Sequence, residues 1–367
     1  MLGRLGSALG VLRPRAVART QRTVDTLAAE MQETTKVLRT LSDGNARLQT
    51  CTDDLVARLD AMSTDIRGLR DEIKKLTFRE SQLRAVARAD AELDEALQRL
   101  HTATDEKKLD AHFRVAVDRS QLRLDPFPYV VIQNVFPDRL YDALVRGIPP
   151  IELFADKAFN KQSLKVPFRV APAYSRRVWN FFVHRAAPHV LQPVLVEKFR
   201  EPLREWIASN WPSLADDPFG PPMDFNTGDG RILLRGRGYR IRPHRDPKWG
   251  FLTCILYLAR EQDSESWGTQ LFHVDDDRPA KGAQPHWIDP ERCRLAGEVP
   301  FRRNSMLVFL NSTGGHGAHI PEDAEPADLR RYIYQCRIGP SAAATRALMA
   351  ALPADRAALW AGKISDY

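Results

Sequence analysis

The sequence predicts an α+β protein in which an amino-terminal coiled coil precedes a β-sandwich or barrel braced by helices. A strict heptad pattern of apolar residues occupies much of the first third of the chain. Helical spacing resumes further along and gives way, after Pro221, to short apolar segments separated by Gly, Pro and Asp. Helices followed by many short strands are typical of a β-layer braced by helices. The 367 residues suffice for one large domain and an extension.

The coiled coil is predicted from apolar residues that recur at alternating steps of three and four, starting at Val24. Over eight heptads, thirteen of the sixteen seam positions are apolar, whereas a helix packed on a globular core would drift off so strict a period. Ile66 and Ile73 at one seam position, with leucines at the other, favour a parallel dimer in which Asn45 would fix the register. We therefore expect a homodimer that associates through residues 24–83. The alternative is an intramolecular helical hairpin.

Changes in pattern divide the chain into five segments. They are a basic tail (1–22), the coiled coil (23–83), a helical connector (84–120), the principal domain (121–340) and a carboxy-terminal helix (341–367). The tail holds five arginines and no acidic residue. It could be a solvated helix start or a disordered tail, an organelle transit peptide, or an arm that makes weak peripheral contact with an anionic membrane.

Composition bounds the partners and the location. No run of eighteen apolar residues occurs, so no transmembrane segment is expected. The formal net charge of +7 is mild for this length; it allows an anionic substrate, and nucleic acid is not expected as a partner. The four cysteines are scattered without a CxxC pair, which favours a reducing compartment and a cytoplasmic location.

Strands and helices of the principal domain follow from local patterns. β-Branched and aromatic residues bounded by prolines predict a first strand within 125–136, and helical spacing follows from 138. Further helices are predicted at 175–187 and 191–210. The strands predicted after Pro221 lie at 231–234, 239–243, 252–258, 269–274, 305–310 and 331–338. Three of these strands carry or border the candidate site residues.

His244 and Asp246 stand two residues apart where one of these strands ends. On an extended backbone both side chains leave the same face. A neutral imidazole and a carboxylate on one face are two thirds of the facial triad that holds Fe(II) with three positions open. A second imidazole from a distant strand would complete the triad. His316 and His319, which follow the apolar strand at 305–310, are both candidates.

A pair of arginines opens the last predicted strand. A guanidinium near the metal can grip the distal carboxylate of a 2-oxo diacid with two parallel hydrogen bonds. Because adjacent strand residues face opposite ways, only one of Arg330 and Arg331 can point inward. Tyr332 shares a face with Arg330 and would line the same pocket.

The order of these motifs resembles the 2-oxoglutarate/Fe(II) dioxygenase superfamily, in its prolyl-4-hydroxylase-like branch. The resemblance covers residues 125–339: a strand with His-x-Asp, a long insertion, a strand followed by His, and a strand that opens with Arg. The Pro-His-Arg-Asp run at 243–246 and the later Gly-Thr pair at 268–269 are similar to bacterial members. The fold that this resemblance implies is a double-stranded β-helix, a jelly-roll or cupin-like barrel.

The same resemblance implies an enzyme that uses Fe(II) and 2-oxoglutarate to hydroxylate a C–H bond, with release of succinate and CO2. Ascorbate is a further candidate cofactor. The family pattern favours His316 over His319 as the third ligand. It also favours Arg330 over Arg331 as the 2-oxoglutarate anchor, with Tyr332 beside it. The implied catalytic and metal-binding residues are therefore His244, Asp246 and His316.

The substrate is left open by the sequence: a protein side chain, a saccharide and a small metabolite are all candidates. The arginines between 231 and 245 could present an anionic substrate or form an exposed face with paired charges. His273 and His286 have no partners at ligand spacing, and we expect them at the surface or beside the substrate. The alternative function is a non-catalytic cupin-like barrel that binds metal or sugar, on a coiled-coil oligomerisation scaffold.

Overall fold

The computed structural model of the protein describes residues 5–158, 161–166, 168–221, 223–276, 287–354, 356 and 360. The chain divides into two compact units, Met1–Arg79 and Glu80–Tyr367. No described helix has the length and the apolar character that crossing a membrane requires.

The predicted heptad seam lies within one helix, α1 (Leu5–Gln98). This helix begins inside the segment assigned from sequence to a basic tail. It runs without a break through residues 24–83, so this range does not fold back as a hairpin. The apolar side chains of the seam are exposed; Leu41 and Leu48, for example, are 64% and 69% exposed. Burying an exposed apolar seam of this length against a second helix is more favourable than leaving it in water. Self-association through this seam stays a prediction.

The helical connector predicted at 84–120 contains the end of α1, a 3-10 turn (Leu100–Thr102) and α2 (Glu106–Asp118). The side chain of Asp105 caps α2 by accepting hydrogen bonds from the backbone N–H groups of Lys107 and Lys108. The buried face of α2 then joins the main apolar core of the second unit.

Further helices brace the domain. They are α3 (Asp138–Arg146), α4 (Ala173–Phe181), α5 (Gln192–Lys198), α6 (Arg200–Asn210) and α7 (Ala342–Ala350). A π-helical stretch, Phe182–Leu191, joins α4 to α5 and contains Pro188. Because proline has no backbone N–H, it interrupts regular α-helical hydrogen bonding at this point. The carboxy-terminal helix predicted at 341–367 is present as α7 over its first part.

The described residues form two antiparallel sheets, neither of which closes on itself. The strands are β1 (Tyr129–Gln133), β2 (Ala155–Ala158), β3 (Lys161–Lys165), β4 (Phe225–Arg235), β5 (Arg240–His244), β6 (Leu252–Tyr257), β7 (Thr269–Val274), β8 (Cys293–Val299), β9 (Ser305–Leu310), β10 (Gly315–His319) and β11 (Arg331–Pro340). Seven strands pair in the order β1-β9-β6-β11-β4-β3-β2, and four in the order β5-β10-β7-β8. The predicted combination of helices and strands is confirmed, and each strand predicted after Pro221 is present.

Two apolar cores separate the layers. On one face of the seven-stranded sheet, side chains such as Leu256, Val308 and Tyr334 pack with the helices. On the other face, Ile333 packs in a core that includes Leu271 of the four-stranded sheet. Alternate residues along a strand thus enter different cores, as the pleat of a strand requires. The candidate site lies on the side of the sheet that faces its smaller partner.

Candidate metal centre

Three side chains singled out in the sequence converge on neighbouring strands. His244 is the last residue of β5, and His316 on β10 is its direct antiparallel partner. Asp246 follows His244 by two residues. One donor atom from each of the three side chains lies within 4.8 Å of the others, and the residues are only 6–8% exposed. Two imidazoles and one carboxylate in this arrangement can hold a metal ion.

Asp246 accepts hydrogen bonds at both carboxylate oxygens. Arg337 Nη2 donates to Oδ1 over 2.9 Å, and Thr253 Oγ1 donates to Oδ2 over 2.7 Å. Gln335 Nε2 also donates to Oδ2, over 3.1 Å. Burial by itself would raise the pKa of the Asp246 carboxyl, but the interactions of the carboxylate, first of all with the Arg337 guanidinium, outweigh burial and hold that pKa well below its usual range. The carboxylate is therefore ionised and fixed in orientation, as a metal ligand needs to be.

Both imidazoles are arranged to offer a nitrogen lone pair. His244 Nδ1 lies 2.9 Å from the carbonyl oxygen of Arg242. Because a carbonyl oxygen only accepts, this nitrogen carries a proton, and in the neutral imidazole Nε2 then keeps its lone pair. Burial, reinforced by the neighbouring His244, lowers the pKa of His316 to about 3. A neutral imidazole is the form that binds metal, so both histidines suit the role.

The other candidate histidines stand apart from this cluster. His319, the alternative third ligand, ends β10 with its side chain exposed. It is three residues from His316, and an odd separation along a strand sends side chains to opposite faces. His273 Nδ1 lies 3.6 Å from Oδ1 of Asp125, and His286 lies outside the described residues. The structure thus brings His316, and not His319, to the other two donors.

A cavity of about 260 Å³ opens beside the three donors. Strands from both sheets contribute to its wall, among them β3, β4 and β11 of the larger sheet and β5 and β10 of the smaller one. Leu233 and Ile255 form apolar parts of the lining, whereas Lys161 and Arg235 bring positive charge. The cavity can therefore receive a small ligand next to a bound metal ion.

The last strand, β11, turns alternate side chains towards this centre. Gln335 and Arg337 hydrogen-bond to Asp246. By the two-residue repeat of a strand, Ile333 and Arg331 share their face. Ile333 packs between the sheets, and Arg331 is only 1% exposed. Arg331 is thus the arginine of the opening pair that faces inward.

Arg330 and Tyr332, preferred from sequence as the carboxylate anchor, lie elsewhere. Arg330 precedes β11 and is exposed, at a separate cavity that Glu322 and Asp328 also line. Tyr332 occupies the opposite face of β11, where its ring centre lies 5.8 Å from that of Phe154 at the core beneath the helices. The structure therefore does not bring these two residues to the metal donors.

Arg331 is buried with part of its guanidinium unsatisfied. Its Nη1 donates to the carbonyl oxygen of Ser264 over 2.6 Å. The guanidinium carbon lies 4.3 Å from the ring centre of Phe301 and 5.3 Å from that of Trp267. Its Nε and Nη2 are buried without a hydrogen-bond partner among the described residues. Because unpaired donors of a buried cation cost free energy, this arrangement favours an acceptor that the chain itself does not supply.

Sequence reasoning missed several side chains that shape the site. The Tyr257 hydroxyl donates to Thr269 Oγ1 over 2.8 Å, and the Tyr257 ring packs against Phe301, which Arg331 also contacts. Burial raises the pKa of Tyr257 well above its usual range, and Thr269 lines the cavity beside the metal donors. The partners of Asp246 that were also missed are Thr253, Gln335 and Arg337. Gln335 and Arg337 lie four and six residues after Arg331 on β11. Because even separations along a strand share a face, this spacing was the sequence signal that could have identified them.

A scan against models of protein families finds no match for this chain, and a search of curated proteins finds none either. Solved structures do resemble it. A Pseudomonas putida prolyl-4-hydroxylase is 14% identical over 62% of this chain and 98% of its own length, with a TM-score of 0.35. HygX from Streptomyces hygroscopicus, with nickel and 2-oxoglutarate bound, is 12% identical over 58% and 83%, with a TM-score of 0.35.

The epimerase SnoN, in complex with Fe3+, alpha ketoglutarate and nogalamycin RO, is 14% identical over 65% of this chain and 85% of its own length, with a TM-score of 0.38. Prolyl-4-hydroxylases and 2OG-Fe(II) oxygenases recur among the similar structures, and theirs is the superfamily whose motifs the sequence resembles. At TM-scores this low, the case for the chemistry rests on the side chains of the site.

Proposed function

We propose that residues 121–340 form a dioxygenase of the prolyl-4-hydroxylase-like branch, which depends on Fe(II) and 2-oxoglutarate and hydroxylates a C–H bond of its substrate. The observation that carries this proposal is the buried convergence of His244, Asp246 and His316, with donor atoms within 4.8 Å of one another. These are the donors of the facial triad, which leaves three positions of Fe(II) open. In this proposal the two sheets are the halves of the jelly-roll that the motifs imply.

The residues present fit an Fe(II) ion. The lowered pKa of His316 keeps its imidazole neutral, His244 donates through Nδ1 and leaves Nε2 for the metal, and Asp246 contributes the negative charge of the set. Hydrogen bonds from Arg337 and Thr253 hold the carboxylate in place, as partners behind a metal ligand do. Imidazole and carboxylate donors with open positions are typical of non-haem Fe(II) in oxygenases.

In the same proposal, Arg331 anchors the distal carboxylate of 2-oxoglutarate. A carboxylate offers the two acceptors that a guanidinium fork fits, and Arg331 has two buried donors without a partner. The hydroxyl pair of Tyr257 and Thr269 lies near Arg331 through Phe301 and can hydrogen-bond to the same carboxylate. The proposed anchor is therefore Arg331, on the inward face of β11, in place of the neighbouring Arg330 that the family resemblance favoured.

When bound, Fe(II) and 2-oxoglutarate would supply the oxidising chemistry: one atom of O2 enters the substrate C–H bond and the other enters succinate, with release of CO2. The chain contributes position and enclosure. Donors on both oxygens of Asp246 prevent the carboxylate from rotating. Leu233 and Ile255 in the cavity wall limit the water beside the donors, which strengthens electrostatic interactions there.

For the first unit, we propose a parallel homodimeric coiled coil along the seam of α1. The exposed apolar side chains over residues 24–83 support it, and paired copies of Asn45 would set its register. This part of the proposal is independent of the metal chemistry, because no proposed ligand lies before His244.

Conversion of 2-oxoglutarate tests the proposal. Full-length protein with Fe(II) and O2 should release succinate and CO2, and a screen of peptides, saccharides and small metabolites should find one that stimulates the reaction. Asp246→Ala should abolish turnover and Mn(II) binding, whereas the matched variant Asp323→Ala, at a surface position, should keep both. Metal binding without any 2-oxoglutarate conversion would favour the non-catalytic cupin-like alternative. A protein that binds neither metal nor 2-oxoglutarate would refute the proposal.

A further inference from the structure

Three basic side chains stand side by side on the inner face of the seven-stranded sheet. Arg235 on β4 lies between Lys161 on β3 and Arg331 on β11 and is the direct antiparallel partner of both. Residues directly opposite on neighbouring strands share a face, and like charges in such positions destabilise a sheet. Arg331 has a proposed use as the anchor for 2-oxoglutarate. Lys161 and Arg235 have no role in that proposal, so their repulsion needs another explanation.

Lys161 and Arg235 have no carboxylate partner within the described part of the chain. Each lies over the ring of Tyr239: Lys161 Nζ is 5.8 Å and the Arg235 guanidinium carbon 5.0 Å from the ring centre. Arg235 Nε is buried without a hydrogen-bond partner. An unpaired buried donor on a charged group costs free energy. The two cations are therefore arranged for an acceptor from outside the chain.

The cavity beside the metal donors carries an excess of positive charge. Among the described residues that line it, Lys161 and Arg235 have no carboxylate partner, whereas the one acidic residue, Asp246, is already paired with Arg337. Fe(II) and 2-oxoglutarate carry equal and opposite formal charges, so binding both would leave this excess unchanged. In a small, partly enclosed space, such an excess attracts anions more strongly than an exposed patch does.

We propose that the substrate is an organic anion, and that Lys161 and Arg235 hold its phosphate or carboxylate group while a nearby C–H bond faces the metal donors. This inference rests on the dioxygenase function proposed above and adds the class of substrate. Two neighbouring cations can each donate to a different oxygen of one phosphate or carboxylate. A cavity of about 260 Å³ takes a small molecule or the end of a larger one, and the Tyr239 ring offers an apolar surface beneath both cations.

Isothermal titration calorimetry on the full-length protein, loaded with Mn(II) and saturating 2-oxoglutarate, tests the inference with matched probes. Glucose 6-phosphate and glucuronate carry the two kinds of anionic group, and glucose is the neutral counterpart of both. We expect saturable binding of at least one charged sugar, weakened by salt, and no measurable binding of glucose.

The double variant Lys161→Gln/Arg235→Gln should weaken binding of the charged sugar by about tenfold or more, because it removes two charge-assisted hydrogen bonds. Lys165→Gln/Arg240→Gln is the matched control. It removes the same formal charge from exposed positions on β3 and β5 and should leave the affinity unchanged. Because the cations repel each other in the free protein, the Lys161→Gln/Arg235→Gln variant should also melt at a higher temperature than the parent.

Four results would overturn the inference. The first is that glucose binds as tightly as the charged sugars, and the second is that neither charged sugar binds. The Lys161→Gln/Arg235→Gln variant could lose affinity for 2-oxoglutarate instead, which would assign both cations to the co-substrate. It could also melt at a lower temperature, which would make the cations structural. A protein that binds charged sugars through Lys161 and Arg235, but neither Mn(II) nor 2-oxoglutarate, would support the anion site and refute the oxygenase chemistry separately.

Discussion

Arg337 and Asp246 form a buried ion pair: Arg337 Nη2 donates to Oδ1 of Asp246 over 2.9 Å, and the two side chains are 8% and 7% exposed. The contact depends on strand register, because Arg337 on β11 stands directly opposite Thr253 on β6, which donates to the other carboxylate oxygen. Asn311 donates in turn to Thr253 Oγ1 over 2.9 Å. The proposed metal ligand is thus held by a connected set of side chains from the larger sheet and the end of β9.

Replacing Arg337 with Met should destabilise the metal-free protein by about 3–5 kcal/mol at neutral pH, because it leaves the buried Asp246 carboxylate without its counter-charge. Arg337 lowers the pKa of Asp246. A lowered carboxyl pKa stabilises the fold above the ordinary pKa of aspartate, and that contribution is lost as the pH falls. The difference between the variant and the parent should therefore shrink in acid. Urea unfolding of the variant and the parent, from neutral pH to below the ordinary pKa of aspartate, measures the difference in their free energy of unfolding. A difference that does not change with pH would contradict the role of the charge.

The histidine that completes the metal centre can be identified by metal binding alone. His316→Ala should abolish Mn(II) binding, as His244→Ala should, because each removes one of three protein donors. His319→Ala should retain the metal, since His319 is exposed and outside the donor cluster. Calorimetric titration with Mn(II) on folded protein checks both. Retention in His316→Ala together with loss in His319→Ala would move the third ligand by three residues.

Two neighbouring arginines give a matched test of the 2-oxoglutarate anchor. Arg331→Met should weaken 2-oxoglutarate binding to the Mn(II)-loaded protein by about tenfold or more, because a bidentate, buried guanidinium–carboxylate contact is lost. Arg330→Met, at the exposed neighbouring position, should change the affinity little. Mn(II) binding itself should survive in both variants. The reverse ranking of the two variants would restore Arg330 as the anchor.

Removal of the first unit should separate association from metal binding. The full-length chain should be a dimer, because burying each seam Leu or Ile contributes roughly 1.5–3 kcal/mol, whereas a protein lacking residues 1–79 should be a monomer that still binds Mn(II). The cut follows Arg79 because Gln82 donates to the Glu152 carbonyl oxygen and Ala85 is buried in the second unit.

Light scattering decides the matter. A truncated protein that stays dimeric would place the contact in the second unit. A monomeric full-length chain would show that the seam associates with no second copy. A trimer would keep the seam and contradict the dimer preference drawn from Ile66, Ile73 and Asn45.

Much of the architecture follows from local pattern, because the periods of helices and strands are properties of the backbone. The heptads predicted a long helix, and short apolar segments predicted β6 and β9 close to their observed bounds. β8 and β10 were not predicted from the sequence, for a physical reason. β8 is exposed along most of its length, and β10 contains Gly315 and Gly317, which disfavour a strand in isolation. A Cβ at position 317 would lie 2.9 Å from the Ile241 carbonyl oxygen, so tight pairing with β5 defines this strand.

For the candidate site too, the sequence determined some features and only the tertiary structure determined others. The sequence by itself determined that His244 and Asp246 share a face, because a separation of two on an extended chain requires it. By the same rule only one of Arg330 and Arg331 can face inward; the family resemblance favoured Arg330, but the residues themselves gave no reason to prefer either face. Only the tertiary structure decided that β11 turns Arg331, with Arg337, towards the smaller sheet and Tyr332 towards the helices. Both faces of this strand are covered, so polarity is no guide to direction; the packing of a sheet between two layers determines which side chains meet the donors.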